Sequence, residues 1–239
     1  MANSWFKFKQ FAIIQDKVAM KVGTDGVILG AWADVSESKT ILDVGTGTGL
    51  LSLMLAQRNT QAKITAIDID KDAALQANEN FLASEWTKRL LAIHTSLEDY
   101  SEASCTAFDF VICNPPFFKN AFKSHDDSRN KARHDDCLSY RELINVSYRI
   151  TTARGRLAVI IPYQTEKEFL HIASQEGFFL KRLLRVKPTP KKDFVRSVIE
   201  LYKNEVADTE MSRMIIEDGG RHAYSDDYIH LTKDFYLAL

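Results

Sequence analysis

Cysteine is scarce in this chain. Cys105, Cys113 and Cys137 are odd in number and show no C-x-x-C spacing. A disulfide framework and a thiolate zinc site are therefore not expected, and a reducing cytoplasm is the expected location. Charge of one sign is also lacking. The formal net charge is −1, so no global field draws the chain to polyanions, and any nucleic-acid binding has to come from a local patch. No apolar run approaches the roughly 18 residues that would span a bilayer. Met1-Ala2-Asn3-Ser4-Trp5 lacks the long apolar run of a signal peptide. Repeats and low-complexity linkers are missing as well. What is present is 239 residues, 45% of them hydrophobic, enough for one well-buried domain. A single domain is expected over 1–239, with a short N-terminal extension (about 1–30) and an acidic tail (about 204–239).

Proline is rare too, at five residues, yet two of them are adjacent at Pro115-Pro116. The preceding Phe108-Asp109-Phe110-Val111-Ile112-Cys113 is a short apolar run rich in β-branched and aromatic residues, which reads as a buried strand. The prolines cannot continue a sheet, because each lacks a backbone donor and has a fixed φ. Asn114 is thus held at a strand end on a stiff turn, with Phe117 just behind. A planar NH2 group needs two in-plane acceptors, and the Asn114 side-chain oxygen and the Pro115 carbonyl can supply them. The Phe117 ring can lie against a base, a contact worth about 1–3 kcal/mol. The plainer reading is an ordinary strand ending in a proline turn.

Upstream, Thr40-Ile41-Leu42-Asp43-Val44 reads as a strand, Gly45-Thr46-Gly47-Thr48-Gly49 as a turn, and Leu50 to Ala56 as a helix. Alternate glycines let a ligand approach bare backbone at a helix start. The pattern is G-x-G-x-G, so neither the dinucleotide fingerprint nor the P-loop fits. Asp43 opposes a phosphate and suits a cation. Lys63 to Asp68 is a second strand. Its terminal acid, Asp68, stands about 20 residues past the glycines, where a carboxylate accepts ribose hydroxyls. A helix N-cap is the bland alternative for Asp68, although Asp70 is the better cap. A helix over 71–84, a strand over 90–94 and the turn at Ser96-Leu97 follow.

Residues 119–138 form a polar stretch carrying Arg129, Lys131, Arg133 and His134 among acids. Structureless segments of such length are uncommon unless functional, so it reads as substrate-binding. His125 and His134 match no metal spacing, and no metal is expected. Residues 139–150 suggest an N-capped helix, 156–161 a strand and 166–174 a helix. Two last strands, 178–186 and 195–202, are joined through a basic turn containing Lys191 and Lys192, with Arg196 just beyond. That joint is either a solvated hairpin or a phosphate contact. At the N-terminus, Phe6, Phe8 and Phe11 alternate with Lys7 and Lys9, which gives an edge hairpin or an RNA-stacking surface. Thr24-Asp25 lies between Gly23 and Gly26, a place where the backbone is free to turn sharply. The tail from Asn204 reads as a helix packed back on the body.

Strands alternating with helices argue an α/β, Rossmann-like, doubly wound sheet of seven mostly parallel strands with an antiparallel last strand. Ligands gather at the C-terminal ends of such strands. Asp43 to Gly49, Asp68, Ser96-Leu97 and Asn114 to Phe117 all fall at that rim.

The glycine turn after Asp43, the acid Asp68 and Asn114-Pro115-Pro116-Phe117 resemble, in order and spacing, the class I S-adenosylmethionine-dependent methyltransferases. Lys21 to Gly26, Arg133-His134 and the basic proline joint with Arg196 make the chain more closely similar to bacterial tRNA adenine-N6 methyltransferases. Those enzymes modify the adenosine beside the anticodon of a valine tRNA, adenosine 37. The resemblance implies S-adenosylmethionine as cofactor, held by Thr24, Asp25, Asp43, Gly45, Gly47, Gly49, Asp68, Ile69, Ser96, Leu97 and Asn114. It implies Asn114, Pro115, Pro116 and Phe117 as catalytic residues. The anticodon stem-loop of a tRNA would meet Phe117, Arg129, Lys131, Arg133, His134, Lys191, Lys192 and Arg196. A monomer is expected. The chain departs from many relatives at Ser96-Leu97, where an acid usually binds the adenine, so a backbone N–H is the expected contact. Alternatives of the same chemistry are a protein-glutamine N5-methyltransferase and an rRNA adenine-N6 methyltransferase.

Overall fold

The structure is a computed structural model, and it describes residues 4–18, 20–116 and 138–238. At its centre is an eight-stranded sheet built from β3 (Thr40–Val44), β4 (Lys63–Asp68), β5 (Leu90–His94), β6 (Phe108–Cys113), β7 (Thr151–Pro162), β8 (Phe179–Lys187), β9 (Arg196–Tyr202) and β10 (Glu210–Ile215). The spatial order is β10-β8-β9-β7-β6-β3-β4-β5. β9 is antiparallel to both of its neighbours, and all other pairings are parallel. A small hairpin, β1 (Trp5–Lys7) with β2 (Ala12–Ile14), stands apart from this sheet.

The inner strands are apolar along nearly their whole length because both faces of the sheet are covered. On one face lie α1 (Thr24–Trp32), α2 (Leu50–Arg58), α3 (Lys71–Leu82) and α7 (Asp226–Thr232), packed on Ile41, Ala66, Phe110 and Ile160. On the other lie α4 (Leu97–Ala103), α5 (Tyr140–Ile150) and α6 (Glu166–Gln175), packed on Leu42, Val111, Val159 and Ile199. Period-two alternation sends successive strand residues to opposite cores.

The expected doubly wound class is found, with one addition. The tail from 204 is not simply a helix: it first supplies β10, parallel to β8, and only then α7. The antiparallel strand is therefore next to last in the chain. β10 escaped detection because Glu210, Ser212 and Arg213 interrupt its apolar residues, as suits an edge strand. The N-terminal aromatics form the edge hairpin and not a stacking surface. Phe8 and Phe11 are buried in the core, and the Lys9 N–H donates to the Phe235 carbonyl at 2.8 Å, tying the hairpin to the tail. Gly23 to Gly26 makes no sharp turn either: Gly23 caps α1 in an extended conformation, and Gly26 lies inside the helix.

Candidate active site

Parallel register builds the site. Val44 pairs with Cys113 and with Ile67, so the next residues along, Asn114, Gly45 and Asp68, stand side by side at the C-terminal ends of three adjacent strands. The chain leaves β3 through the glycine turn. Gly45, Gly47 and Gly49 have φ of 69°, 55° and 82°, the left-handed region that only glycine adopts at little cost. A Cβ at Gly45 or Gly47 would point into open space, so bare backbone faces outward there. Gly49 differs. A Cβ on it would strike the Phe81 ring at 2.5 Å, so this glycine lets α3 pack closely against the turn.

Asp43 is fully buried beneath the turn. Its Oδ2 accepts from the Thr46 hydroxyl (2.7 Å), the Ser52 hydroxyl (2.7 Å) and the Ser52 N–H (3.2 Å). Its Oδ1 is buried with no hydrogen-bond partner among the described residues. Burial raises the carboxyl to a pKa of about 6 against the pull of those three donors. Thr46 and Ser52 were not picked out from the sequence. A polar residue within the apolar run Leu50-Leu51-Ser52-Leu53 was the available signal.

The Asp68 carboxylate is oriented by backbone, with Oδ2 accepting the Gly47 N–H and Oδ1 the Asp70 N–H, each at 2.9 Å. Each oxygen keeps a lone pair for a further donor. The helix cap that follows is Asp70, which accepts from the Asp72 N–H. Ile69 beside it is exposed, and its carbonyl lies 3.1 Å from His94 Nε2. Ser96 caps α4 by accepting the Asp99 N–H at 3.0 Å and donates its hydroxyl proton to the Asp99 carboxylate at 2.7 Å, while the Leu97 side chain enters the core.

Asn114 follows β6, and its buried Oδ1 has no hydrogen-bond partner among the described residues. Helix α1 closes over it. A Cβ at Gly26 would sit 3.9 Å from Asn114 Nδ2 and 3.0 Å from Leu50 Cδ2, so Gly26 permits the approach. That role was not legible from sequence. Pro115 is buried and Pro116 exposed. Two other buried atoms lack partners among the described residues, Gln57 Oε1 and Ser147 Oγ. They sit apart, on α2 and α5, which lie on opposite faces of the sheet. Only those of Asp43 and Asn114 belong to adjacent strand ends.

Asp25 accepts a hydrogen bond at 2.7 Å from the Arg196 Nε, an ion pair that joins the start of β9 to α1. The sequence assigned these two residues to different ligands, and the fold brings them together. Thr24 is exposed at the first turn of α1. Lys191 and Lys192 are exposed on the joint before β9. Phe117, Arg129, Lys131, Arg133 and His134 lie outside the described residues. Among the described residues no cluster of three or more metal-ligating side chains occurs, and no helix is long and apolar enough to cross a membrane.

The residues present fit the cofactor implied by the resemblance. An orphaned carboxylate oxygen suits an ammonium, bare glycine backbone leaves room for a chain, and a fixed terminal acid suits a ribose.

Residues 24–168 match the family model described as methyltransferase small domain. The chain is 43% identical to the tRNA1(Val) (adenine(37)-N6)-methyltransferase of Flavobacterium johnsoniae, over 98% of this chain and 100% of that protein. It is also 43% identical to the enzyme of the same name from Parabacteroides distasonis, over the whole of both. A crystal structure of a predicted O-methyltransferase from Agrobacterium tumefaciens superposes with a TM-score of 0.69 at 20% identity, covering 90% of this chain and 99% of that one; it shares the fold. With matches of this length, the chain belongs to the methyltransferase small domain family, within the class I methyltransferases and alongside the tRNA1(Val) (adenine(37)-N6)-methyltransferases.

Proposed function

We propose that this protein methylates the exocyclic N6 of an adenosine in tRNA, adenosine 37 of tRNA1(Val), acting in the cytoplasm as a monomer with S-adenosylmethionine as donor. The observation that carries this reading is the buried Asn114 Oδ1, without a partner among the described residues, at the strand end beside Gly45. An unsatisfied buried acceptor costs about 1–3 kcal/mol, and a ligand that brings an N–H recovers it.

When bound, S-adenosylmethionine supplies an electrophilic methyl group on a sulfonium. The chain does the rest. Asn114 Oδ1 accepts a hydrogen bond from one N6–H and the Pro115 carbonyl from the other. That favours a nitrogen whose lone pair is withdrawn from the ring and free to attack a methyl carbon. The adjacent prolines hold both oxygens stiffly, and positioning of this kind supplies much of the rate. Asp43 Oδ1 takes the amino-acid ammonium, and Asp68 takes the ribose hydroxyls. No side chain of tuned pKa is needed as a base, because a nitrogen that has gained a methyl group is acidic and gives its proton to water. The target base has to leave its stack, which costs least in a loop. Phe117 then receives it, and Arg129, Lys131, Arg133, His134, Lys191 and Lys192 bind the RNA.

Labelling tests this. Protein, tritiated S-adenosylmethionine and total tRNA from a strain lacking the enzyme should yield label in N6-methyladenosine at position 37 of tRNA1(Val). Label in release factors or in rRNA instead would replace this reading with the corresponding alternative.

A further inference from the structure

The basic joint between β8 and β9 is braced by the strand that the sequence did not reveal. The Ile216 N–H, just past β10, donates to the Lys187 carbonyl at 2.9 Å, and the Glu217 N–H to the Pro188 carbonyl at 3.0 Å. The Val195 N–H donates to the Val186 carbonyl at 2.9 Å. Between these pins lies Phe194. Its ring centroid is 5.4 Å from that of Tyr163, the residue after β7. Lys187 Nζ lies 5.0 Å from it, and the Arg213 guanidinium carbon 5.8 Å. One ring thus collects two cations from two different strands.

These two cations differ from their neighbours. Arg185 is held by two nitrogens on Glu166. Lys181 and Arg182 share Glu210 at 3.6 Å. Lys187 and Arg213 have no carboxylate partner among the described residues. Asp193, one residue from Phe194, is exposed and bonds neither of them. Two like charges gathered at one ring repel each other. The ring's negative face offsets this only in part, and an anion between them would do so fully.

We infer that Phe194, Lys187 and Arg213 form a phosphate-binding station for the RNA backbone outside the catalytic pocket. β6, β7, β8 and β10 run parallel, so the station shares the rim that holds Asn114. It stands three to four strand spacings from β6, about 14–19 Å across the sheet. A nucleic-acid strand delivering a base to Asn114 can cross it. The pinned backbone means little conformational freedom is lost on binding. With a net charge of −1 on the whole chain, affinity for a polyanion has to come from local stations of this kind. The inference deepens the tRNA reading and rests on it.

The test uses the full chain, with tRNA affinity measured across a salt series alongside steady-state methylation. The double variant K187Q/R213Q should raise KM for tRNA roughly 10- to 100-fold and flatten the slope of log affinity against log salt by about 1.4. The kcat at saturating tRNA, the cofactor Kd and the melting temperature should not change. K187R/R213K should restore KM. Phe194→Leu should fall between the two, since it keeps the charges but loses the ring that gathers them. Lys88→Gln, at the opposite rim, should do nothing. An unchanged KM and slope in K187Q/R213Q overturns the station. So does a loss confined to kcat. A wild-type chain that neither binds nor methylates tRNA would overturn the function itself, and that is read before any variant is made.

Discussion

Two buried carboxylates, one in each half of the sheet, make an instructive pair. Asp43 on β3 and Glu200 on β9 are both fully buried, and burial raises the pKa of both. Glu200 is paired on both oxygens, Oε1 with Arg156 at 3.3 Å and Oε2 with Arg182 at 3.0 Å. Those guanidiniums lie in turn over Phe110 and Trp32. Asp43 has its donors on one oxygen and leaves the other empty. Burial of an acid therefore does not by itself mark a site. A closed network such as that of Glu200 holds strands together, whereas an open one such as that of Asp43 keeps an acceptor oxygen free among the described residues.

The comparison breaks first at Glu200. Glu200→Ala leaves the buried Arg156 without a counter-charge and strips Arg182 of the nearer of its two carboxylates, and should cost about 3–5 kcal/mol, read by denaturant unfolding. Calorimetry should find cofactor affinity unchanged in whatever remains folded. A mild loss would mean the triad is open to water. Next comes the rim. Asn114→Ala should lower turnover about 10²- to 10³-fold with cofactor Kd within about twofold; loss of cofactor binding would place Asn114 with the cofactor, not with the amine. Asp43→Asn keeps an acceptor for Thr46 and Ser52 but removes the charge. Cofactor affinity should fall roughly 10- to 100-fold, with melting changed far less than by Glu200→Ala. Equal destabilisation in the two variants would erase the distinction drawn here.

The smallest effect is in pH. The folded pKa of Asp43, about 6, lies above its reference value of 3.8, so the folded chain keeps a proton that the unfolded chain has lost. This contribution to stability is full below about pH 4 and is lost as pH rises through about 6. Cofactor affinity should run the other way. An ammonium needs the ionised acid, so Kd should weaken as pH drops below about 6, by at most about tenfold per unit. Asp43→Asn should remove that dependence. A flat wild-type profile across this range would separate Asp43 from the cofactor.

Much of the site was readable because it is local. Asn114-Pro115-Pro116 announces a strand end by its missing donors, and Gly45-Thr46-Gly47 announces positive φ by composition. Where the reading fell short, the contacts span long stretches of chain. Gly26 matters only because α1 crosses Asn114, and Gly49 because α3 brings Phe81 to it. Asp25 and Arg196 look like separate binding residues until β9 is laid beside the rim.

By itself, then, the sequence determined the alternation of strand and helix, the two-faced apolar pattern and the placement of Asp43, Asp68 and Asn114 at one rim. Each of these depends on neighbours within a few positions, where steric and hydrogen-bonding rules act directly. The tertiary structure alone decided that a weakly apolar edge strand, β10, would join the sheet, which buried acid would be closed by arginines, and that Lys187 and Arg213 would meet at Phe194. Those outcomes depend on strand order and register, which bring together residues whose separation along the chain carries no signal of their proximity.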